Sequence, residues 1–291
     1  MAGRGRQGAV TRLAPGLHLI ATPIGAARDI TLRALDILGA ADVLAAEDTR
    51  TLRHLMEIHG IPLAGRPLVA YHDHNGAAVR PRLLAALREG KSVAYASEAG
   101  TPLIADPGFQ LARAAIAEAL PVIAAPGPSA VLCALGVAGL PTDRFLFAGF
   151  LPNTTGARCR SLADLQPVPA TLVFYESPRR LSRCLADMAH VLGPTRQAAV
   201  CRELTKRFEE ITRDTLGALA ETFATRDVKG EIVVVVDRGG PASQDPVGLD
   251  EALLTALKGS SLKDAVSEVA MRLGMPRREV YQRALGLGET E

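Results

Sequence analysis

Short apolar runs alternate with segments of helical periodicity over the first 125 residues of the chain. The runs have the length and apolar content of buried strands. They lie at residues 17–21, 43–46, 68–71, 92–96 and 121–125. Between the first two runs, Leu32, Leu35 and Leu38 predict a helix over 30–38 with one buried face and Gly39 as its C-cap. Strands that alternate with helices in this way predict a mostly parallel sheet covered by helices.

The same alternation resumes after Pro126-Gly127-Pro128, a tripeptide that continues neither a helix nor a strand. Further strands are predicted at 145–149, 170–175 and 232–236, and residues 197–201 form a further segment of this part. No element is predicted for 202–212. We therefore predict an α/β protein with two α/β domains. Its predicted parts are a disordered tail at 1–13, an N-terminal α/β domain at 14–126, a C-terminal α/β domain at 127–240 and a helical module at 249–288.

The last part of the chain has a purely helical pattern. Residues 241–248 are predicted to be a linker, and Ser261 with Asp264 then matches a capping box at a helix start. A second helix is predicted to bury its apolar positions, Val280, Tyr281, Ala284 and Leu285. Two helices joined by a short turn are typical of a helix-turn-helix, and this module is locally basic.

Composition narrows the class of protein. With 48% hydrophobic and 22% charged residues, the chain is predicted to be soluble and globular, without an apolar run near the roughly 20 residues of a membrane span. Its four cysteines are scattered without a CxxC pair, which favours reduced thiols in a cytoplasmic protein. The net charge of +2 limits any nucleic-acid surface to a local patch, and 4% aromatic residues argue against base-stacking platforms.

Turns rich in Gly and Pro follow the predicted strands. The densest is in SVAYASEAGTPLIADPG, residues 92–108, where a buried strand leads into two glycines, two prolines and two carboxylates. Comparable turns lie at 22–25, 126–129, 150–152, 176–178 and 229–231. Because ligands bind outside the carboxyl ends of strands in open α/β sheets, we expect these turns to line one interdomain cleft. Such a cleft suits a medium-sized cofactor held by backbone groups.

Several common catalytic motifs do not occur in the sequence. It contains no Walker A motif, no GxGxxG and no HExxH, which removes the corresponding nucleotide, dinucleotide and zinc-protease functions. His72 and His74 stand two residues apart without a recognisable third ligand. No metal site is therefore predicted.

A series of motifs, taken together and in chain order, resembles one family. The motifs are Ala21-Thr22-Pro23-Ile24-Gly25, Ala46-Glu47-Asp48-Thr49-Arg50, Ser97-Glu98-Ala99-Gly100-Thr101-Pro102, Asp106-Pro107-Gly108, Pro126-Gly127-Pro128-Ser129-Ala130, Glu176-Ser177-Pro178, Arg202-Glu203-Leu204-Thr205-Lys206 and Lys229-Gly230-Glu231. On these motifs the chain is identified as a member of the ribosomal RNA small subunit methyltransferase I family, which is similar in fold to the tetrapyrrole methylases. The resemblance covers 13–238, and the helical module looks like that family's C-terminal module.

The resemblance implies a function and a cofactor. It implies S-adenosylmethionine as methyl donor in the cleft between the domains, a homodimer, and 2′-O-methylation of a cytidine in 16S rRNA of the small ribosomal subunit. The residues expected to bind the donor are Pro23, Ser97, Ala99, Gly100, Thr101, Pro102, Ile104, Ser129, Ala130, Phe150, Leu151, Leu204, Gly230, Glu231 and Ile232. The sequence departs from the family's usual Asn, Asp and His at Ala26, Glu98 and Arg179.

The expected chemistry points to further residues. A sulfonium methyl is already activated, so the protein must align the ribose hydroxyl and accept or orient its proton, without a metal. Four side chains are predicted as catalytic candidates, with no choice among them: Glu47, Asp48, Glu203 and Lys206. Arginines are predicted to bind the RNA: Arg50, Arg202 and Arg207 as phosphate clamps, with Arg179, Arg277 and Arg278.

Two other functions stay open at this point. A methylase of tetrapyrrole, precorrin or diphthine intermediates would share the fold and the donor, although the Glu-Asp-Thr-Arg and Arg-Glu-Leu-Thr-Lys segments and the basic module argue against it. A nucleic-acid-binding regulator would use its helix-turn-helix and transfer no methyl group. Few aromatic residues and a near-neutral charge favour an assembled small subunit over naked RNA as the substrate.

Overall fold

The computed structural model describes residues 13–239, 246–273 and 277–288. The predicted tail therefore lies outside the described residues except for Leu13, and so does the predicted linker up to residue 245. The first helix of the C-terminal module begins at Pro246, within the segment predicted as linker.

The N-terminal half of the chain forms a five-stranded parallel sheet in the order β3-β2-β4-β1-β5. Its elements are β1 (Gly16–Ile20), α1 (Leu32–Ala40), β2 (Val43–Ala46), α2 (Thr49–Ile58), β3 (Leu68–Ala70), α3 (Gly76–Arg88), β4 (Ser92–Ala96), α4 (Gly108–Ala117) and β5 (Val122–Ala125). Strands β1, β2 and β4 are buried along their whole length, as their continuous apolar runs predict. The carboxyl ends of these parallel strands lie at the same edge of the sheet. The loops that follow residues 20, 46 and 96 therefore begin at that edge.

The predicted buried face of α1 is confirmed at Leu38 and wrong at Leu32. The helix begins at Leu32 because the Thr31 hydroxyl caps it by accepting a hydrogen bond from the Ala34 amide at 3.1 Å. Leu32 is consequently in the first turn and 56% exposed, whereas Ile37 and Leu38 are buried. Gly39 lies inside the helix and does not cap it.

The C-terminal half forms a second five-stranded sheet, in the order β6-β7-β10-β8-β9. Its elements are α5 (Ala130–Ala138), β6 (Phe145–Phe150), α6 (Thr155–Leu165), β7 (Thr171–Glu176), α7 (Pro178–Leu192), β8 (Gln197–Arg202), β9 (Glu210–Thr215), α8 (Leu216–Ala224) and β10 (Ile232–Val236). Only β6 and β7 pair in parallel; the other pairs are antiparallel. The edge strand β9 is missed by the sequence pattern because it is almost entirely polar.

An apolar cluster joins the two halves of the chain. Helix α5 covers one face of the second sheet over β8 and β10. Ile24, in the loop after β1, packs in the same cluster as Val131, Leu204 and Val233. The strand-end loops of the first sheet therefore lie against the second sheet.

The last three helices, α9 (Pro246–Leu257), α10 (Leu262–Leu273) and α11 (Arg277–Gly288), share a separate core. The predicted capping box is confirmed, because Ser261 Oγ accepts from the Asp264 amide at 3.3 Å and donates to its carboxylate at 2.6 Å. Val280 and Ala284 are buried as predicted, but Tyr281 and Leu285 are each 45% exposed. No helix in the described part of the chain is both long and apolar enough to span a membrane.

Candidate functional site

A cavity of about 460 Å³ lies between the two sheets. It is lined by the loops that follow β1, β2, β4 and β5 and by the ends of β6, β7, β8 and β10. The first sheet thus contributes the carboxyl ends of its strands, where open α/β sheets bind ligands.

The loop after β4 forms one wall of the cavity and is bound to the loop after β1. The amides of Thr22 and Gly100 each donate to the other residue's carbonyl at 3.0 Å. Gly100 has a φ of +80°, which a glycine adopts without strain. Ser97 Oγ donates to the Gly100 carbonyl at 2.6 Å, and Thr101 Oγ1 donates to the Pro128 carbonyl at 2.8 Å. These bonds hold the Gly/Pro-rich loop in one shape.

The opposite wall is built by the segment after β8 and the turn before β10. Glu203 and Thr205 have positive φ values of 52° and 64°, so the chain turns sharply on both sides of Leu204. Leu204 is buried against the cavity. Lys206 Nζ donates to Glu203 Oε1 at 2.9 Å and to Glu231 Oε2 at 3.0 Å, which ties the two segments together.

A buried ion pair supports a third part of the lining. The Glu176 side chain is fully buried at the end of β7, accepts from the Ser177 amide at 2.8 Å and lies 3.1 Å from Arg180 Nε. Arg180 also donates to Asn153 Oδ1 at 2.6 Å and to the Leu151 carbonyl at 2.5 Å. Because a charge this deeply buried depends on its partner, Arg180 positions the loop after β6 against β7.

Carboxylates dominate the electrostatics of the cavity. Its lining includes Glu47, Glu98 and Asp106, together with Glu176 and Glu231, which pair with Arg180 and Lys206. Among the described residues that line it there is no Lys, Arg or His. Burial raises the pKa of Glu47 above its usual value, and the nearby Asp106 and Glu98 carboxylates raise it further. Burial likewise raises the pKa of Asp106. The cavity is therefore suited to a ligand that carries positive charge.

Most of the residues expected to bind the donor meet at this cavity. Those that line it are Ala99, Thr101, Ile104, Ser129, Ala130, Phe150, Leu204, Gly230, Glu231 and Ile232. Those that do not line it are Pro23, Ser97, Gly100, Pro102 and Leu151. Ser97 and Gly100 instead make the hydrogen bonds that shape the wall, and Leu151 belongs to the core of the second domain.

Of the four predicted catalytic residues, Glu47 alone lines the cavity. Asp48 caps α2 by accepting from the Arg50 amide at 2.7 Å, and its other oxygen pairs with the Arg50 guanidinium at 3.0 Å. Glu203 and Lys206 pair with each other behind the wall.

The predicted RNA-binding arginines are spread over the surface. The Arg50 side chain is 91% exposed, and Arg179 and Arg207 are also exposed. Arg202 pairs with Glu210 at 3.1 Å, so its charge is already partly compensated. Arg277 and Arg278 are exposed on α11 and belong to the C-terminal module.

Ten described residues that line the cavity were not among the predicted site residues: Ile24, Glu98, Ala105, Asp106, Tyr175, Glu176, Ser177, Pro178, Cys201 and Val233. Asp106 lies in the same Gly/Pro-rich stretch as the predicted donor site, so its position in that loop was an available signal. Glu176 lies in the turn at 176–178 that was expected to line the cleft, so that motif was also an available signal, whereas nothing in the spacing of Tyr175 distinguishes it from a residue at any strand end. Within the described ranges, no three His, Cys, Asp or Glu side chains are grouped to hold a metal ion.

Comparison with known proteins identifies relatives of both parts of the chain. The family model of Tetrapyrrole (Corrin/Porphyrin) Methylases matches residues 16–220, and that of the RsmI C-terminal HTH domain matches residues 243–288. These matches confirm the predicted fold class, two α/β domains of the tetrapyrrole methylase type with a helix-turn-helix-like module.

Curated relatives extend the similarity to nearly the whole chain. A protein of Mesorhizobium japonicum named ribosomal RNA small subunit methyltransferase I is 49% identical over 279 residues, which cover 96% of this chain and 94% of the relative. A protein of Xylella fastidiosa with the same name is 43% identical over 273 residues, covering 92% and 98%. The uroporphyrin-III C-methyl transferase of Thermus thermophilus, solved in complex with S-adenyl homocysteine, shares the fold at a TM-score of 0.53 and 20% identity, covering 76% and 96%.

Proposed function

Since this chain belongs to the ribosomal RNA small subunit methyltransferase I family, we propose that it transfers a methyl group from S-adenosylmethionine to the ribose 2′-hydroxyl of a cytidine in 16S rRNA. The family makes it a methyltransferase of ribosomal RNA; the modified atom and nucleotide are the proposal. The observation that supports a binding site for the methyl donor is the carboxylate-lined cavity between the two sheets.

The residues of the cavity fit S-adenosylmethionine. The donor carries a sulfonium and an ammonium group, and the cavity offers carboxylates with no basic side chain among its described lining residues. Apolar side chains such as Ile104, Phe150 and Leu204 can pack on an adenine ring. The structural relative from Thermus thermophilus was solved with the demethylated form of this compound. When bound, the donor supplies an activated methyl group.

The chain's own residues position the donor and the sugar. Glu203 and Lys206, predicted as catalytic, are proposed to shape the wall around Leu204 and Glu231 instead of meeting the hydroxyl. Glu47 is proposed to act inside the cavity, beside the reacting groups.

The negative charge of the cavity also restricts which part of the RNA enters. Phosphates are repelled by the lining carboxylates, so a nucleotide is expected to enter with its sugar while its phosphates stay at the rim. Arg179 follows Pro178, which lines the cavity, and Arg50 lies three residues beyond Glu47. Both are exposed, which supports their proposed role as phosphate contacts. Flipping the target nucleotide out of its stack costs a few kcal/mol.

The proposed substrate is the assembled or nearly assembled small ribosomal subunit, which places the reaction in the cytoplasm. All four cysteines are free, which is compatible with that compartment. A homodimer is proposed from the family resemblance, and the exposed Leu132, Phe145 and Phe208 of the second domain offer apolar surface for it. Sedimentation analysis tests the dimer.

The function is tested with labelled S-adenosylmethionine and small subunits from cells that lack this enzyme. The modified RNA is digested to nucleosides and analysed by mass spectrometry, with uroporphyrinogen as a parallel substrate. We expect one methyl group on a cytidine ribose and none on the tetrapyrrole. A methyl group on the base would refute the 2′-O assignment, and methylation of the tetrapyrrole alone would refute the RNA substrate.

A further inference from the structure

The Asp106 side chain is held by two hydrogen bonds at the edge of the cavity. One carboxylate oxygen, Oδ1, accepts a hydrogen bond from the Tyr95 hydroxyl at 2.8 Å and another from the Gly108 amide at 2.7 Å. The loop reaches this arrangement through positive φ values at Leu103 (71°) and Ala105 (55°). Such conformations are unfavourable for residues other than glycine, and they concentrate at functional sites.

The surroundings of Tyr95 leave the hydroxyl little freedom. Tyr95 is fully buried in β4, and the Tyr71 ring packs edge-on against it with centroids 5.9 Å apart. A Cβ atom on Gly108 would come within 2.3 Å of the Tyr95 ring and 2.7 Å of Asp106 Oδ1, so only glycine fits there. Burial and the Asp106 carboxylate raise the pKa of Tyr95, so the hydroxyl keeps its proton and remains a donor.

The second oxygen of Asp106 is in a different situation. Oδ2 is buried, and no hydrogen-bond partner for it exists within the described part of the chain, although Asp106 lines the cavity. A buried carboxylate oxygen without a partner is costly and requires an explanation. A hydroxyl donor inside the cavity would satisfy it.

We propose that Asp106 is the catalytic base, whose Oδ2 accepts the proton of the ribose 2′-hydroxyl, and that Tyr95 is the residue that positions it. The inference rests on the proposed function. The 2′-oxygen forms its bond to the methyl carbon as the carbon–sulfur bond breaks with its electron pair left on sulfur. The hydroxyl proton passes to Asp106 Oδ2, which becomes a neutral carboxyl, and the sulfonium becomes a thioether.

The other lining carboxylates are less suited to this role. Glu176 is paired with Arg180, and Glu231 with Lys206. Glu98 is exposed. Glu47 lines the cavity and accepts a backbone hydrogen bond from Glu98, but among the described contacts it lacks a side-chain donor like the Tyr95 hydroxyl that holds Asp106.

The electrostatic surroundings of Asp106 agree with a base. Burial is the largest influence and raises its pKa, the hydrogen bonds from Tyr95 and Gly108 lower it, and the net change is upward. A base whose pKa is raised towards the working pH accepts a proton more effectively.

The first test is Asp106→Asn, which keeps an oxygen to accept from Tyr95 and Gly108. We expect the single-turnover rate of methyl transfer to small subunits to fall by about 10²–10⁴-fold. Calorimetry should show the affinity for S-adenosylmethionine within about twofold of the wild type, which corresponds to a negligible free energy. An unchanged rate would overturn the proposal. So would a loss of donor affinity at an unchanged rate in the saturated enzyme, because Oδ2 would then bind the donor's ammonium group.

The second test separates positioning from folding. Tyr95→Phe removes the hydroxyl that lowers the pKa of Asp106, so the acidic limb of the rate profile should move to higher pH. The rate above that limb should also fall, because the Asp106 carboxylate loses the hydrogen bond that positions it. The matched control is Tyr71→Phe, whose hydroxyl accepts from Arg80 at 3.2 Å and does not meet Asp106. In the Tyr71→Phe control, the acidic limb of the rate profile should lie at the same pH as in the wild type. If the acidic limb of the rate profile lies at the same pH in Tyr95→Phe and Tyr71→Phe, the proposed role of Tyr95 is overturned. If the Asp106→Asn profile keeps its acidic limb, the proposed role of Asp106 is overturned.

The assignment of the base can fail independently of the proposed function. The nucleoside analysis of wild-type product is run alongside the variants. If the wild type methylates ribose and Asp106→Asn does so at the same rate, the assignment of Asp106 as catalytic base is wrong and the proposed function stands. If the wild type methylates a nitrogen or carbon atom of the nucleobase, the proposed function is wrong, and so is the assignment of Asp106 as catalytic base.

Discussion

Glu203 and Glu231 are joined by two hydrogen bonds, one between backbone groups and one from a backbone amide to a side chain. The Glu203 amide donates to the Glu231 carbonyl at 2.9 Å, and the Glu231 amide donates to Glu203 Oε1 at 2.9 Å. Glu231 lines the cavity, whereas Glu203 lies behind it. The two hydrogen bonds therefore hold the cavity-lining residue Glu231 against the segment after β8.

Glu203→Ala tests this connection. Removing the carboxylate leaves the Glu231 amide without its side-chain acceptor and leaves Lys206 with Glu231 as its remaining carboxylate partner, so we expect the free energy of unfolding to fall by about 1–2 kcal/mol. The affinity for S-adenosylmethionine should fall by about tenfold, because the wall around Leu204 loses its support. Thermal unfolding and calorimetry measure the two effects. Glu221→Ala, an exposed glutamate on α8, is the control, and a folded Glu203→Ala protein with full donor affinity contradicts the prediction.

Low pH should weaken the ion pairs that Glu210 of β9 makes with Arg202 of β8 and with Arg226. The Arg226 guanidinium, at 2.6 Å, and then Arg202 lower the pKa of Glu210 from 4.5 to about 2. Because the folded-state pKa is depressed, this stabilisation is complete above pH 4.5 and is lost as the pH falls towards 2. After solvent screening we expect it to contribute about 1 kcal/mol.

The measurement is the stability of Glu210→Gln relative to wild type as a function of pH. The difference should be constant near neutral pH and should disappear through the acidic window. Asp214→Asn, an exposed acid on the same strand, should show no such loss. A Glu210→Gln difference that persists at the lowest pH would mean that packing, not charge, holds the contact.

Arg179→Ala should weaken the binding of small subunits but not of the methyl donor. Arg179 is exposed and directly follows the lining residue Pro178, so its charge is available to a phosphate at the rim. We expect the salt dependence of subunit binding to fall by about one unit in its logarithmic slope. Arg113→Ala, an exposed arginine on α4, is the matched control. An unchanged slope for Arg179→Ala would remove Arg179 from the RNA-binding surface.

Removal of the chain after residue 240 should separate donor binding from RNA docking. Helices α9 to α11 pack on a core of their own, so the cores of the two sheets remain complete without them. The truncated protein should bind S-adenosylmethionine normally and bind small subunits more weakly, with a shallower salt dependence. Within this module Arg283 already pairs with Asp250 at 2.6 Å, whereas Arg277 and Arg278 are exposed. Subunit methylation at the full rate by the truncated protein would assign the module another role.

Local features of this fold were predictable from sequence because they depend on neighbouring residues. Strand β10 has the predicted bounds, 232–236, since a continuous β-branched run identifies its own element. The capping box at Ser261 is equally local. The order of the strand-end motifs identified the family, which the relatives confirm.

The tertiary structure alone decided which charged groups work together. Sequence spacing could not show that Arg202 is compensated by Glu210, or that Glu203 lies behind the cavity wall while Asp106 lies at its edge. It also could not predict the polar edge strand β9. The environment of a side chain depends on segments far along the chain, as Glu231 depends on Glu203. Periodicity reports which face of an element is apolar, but the pairing of elements determines what each polar group meets.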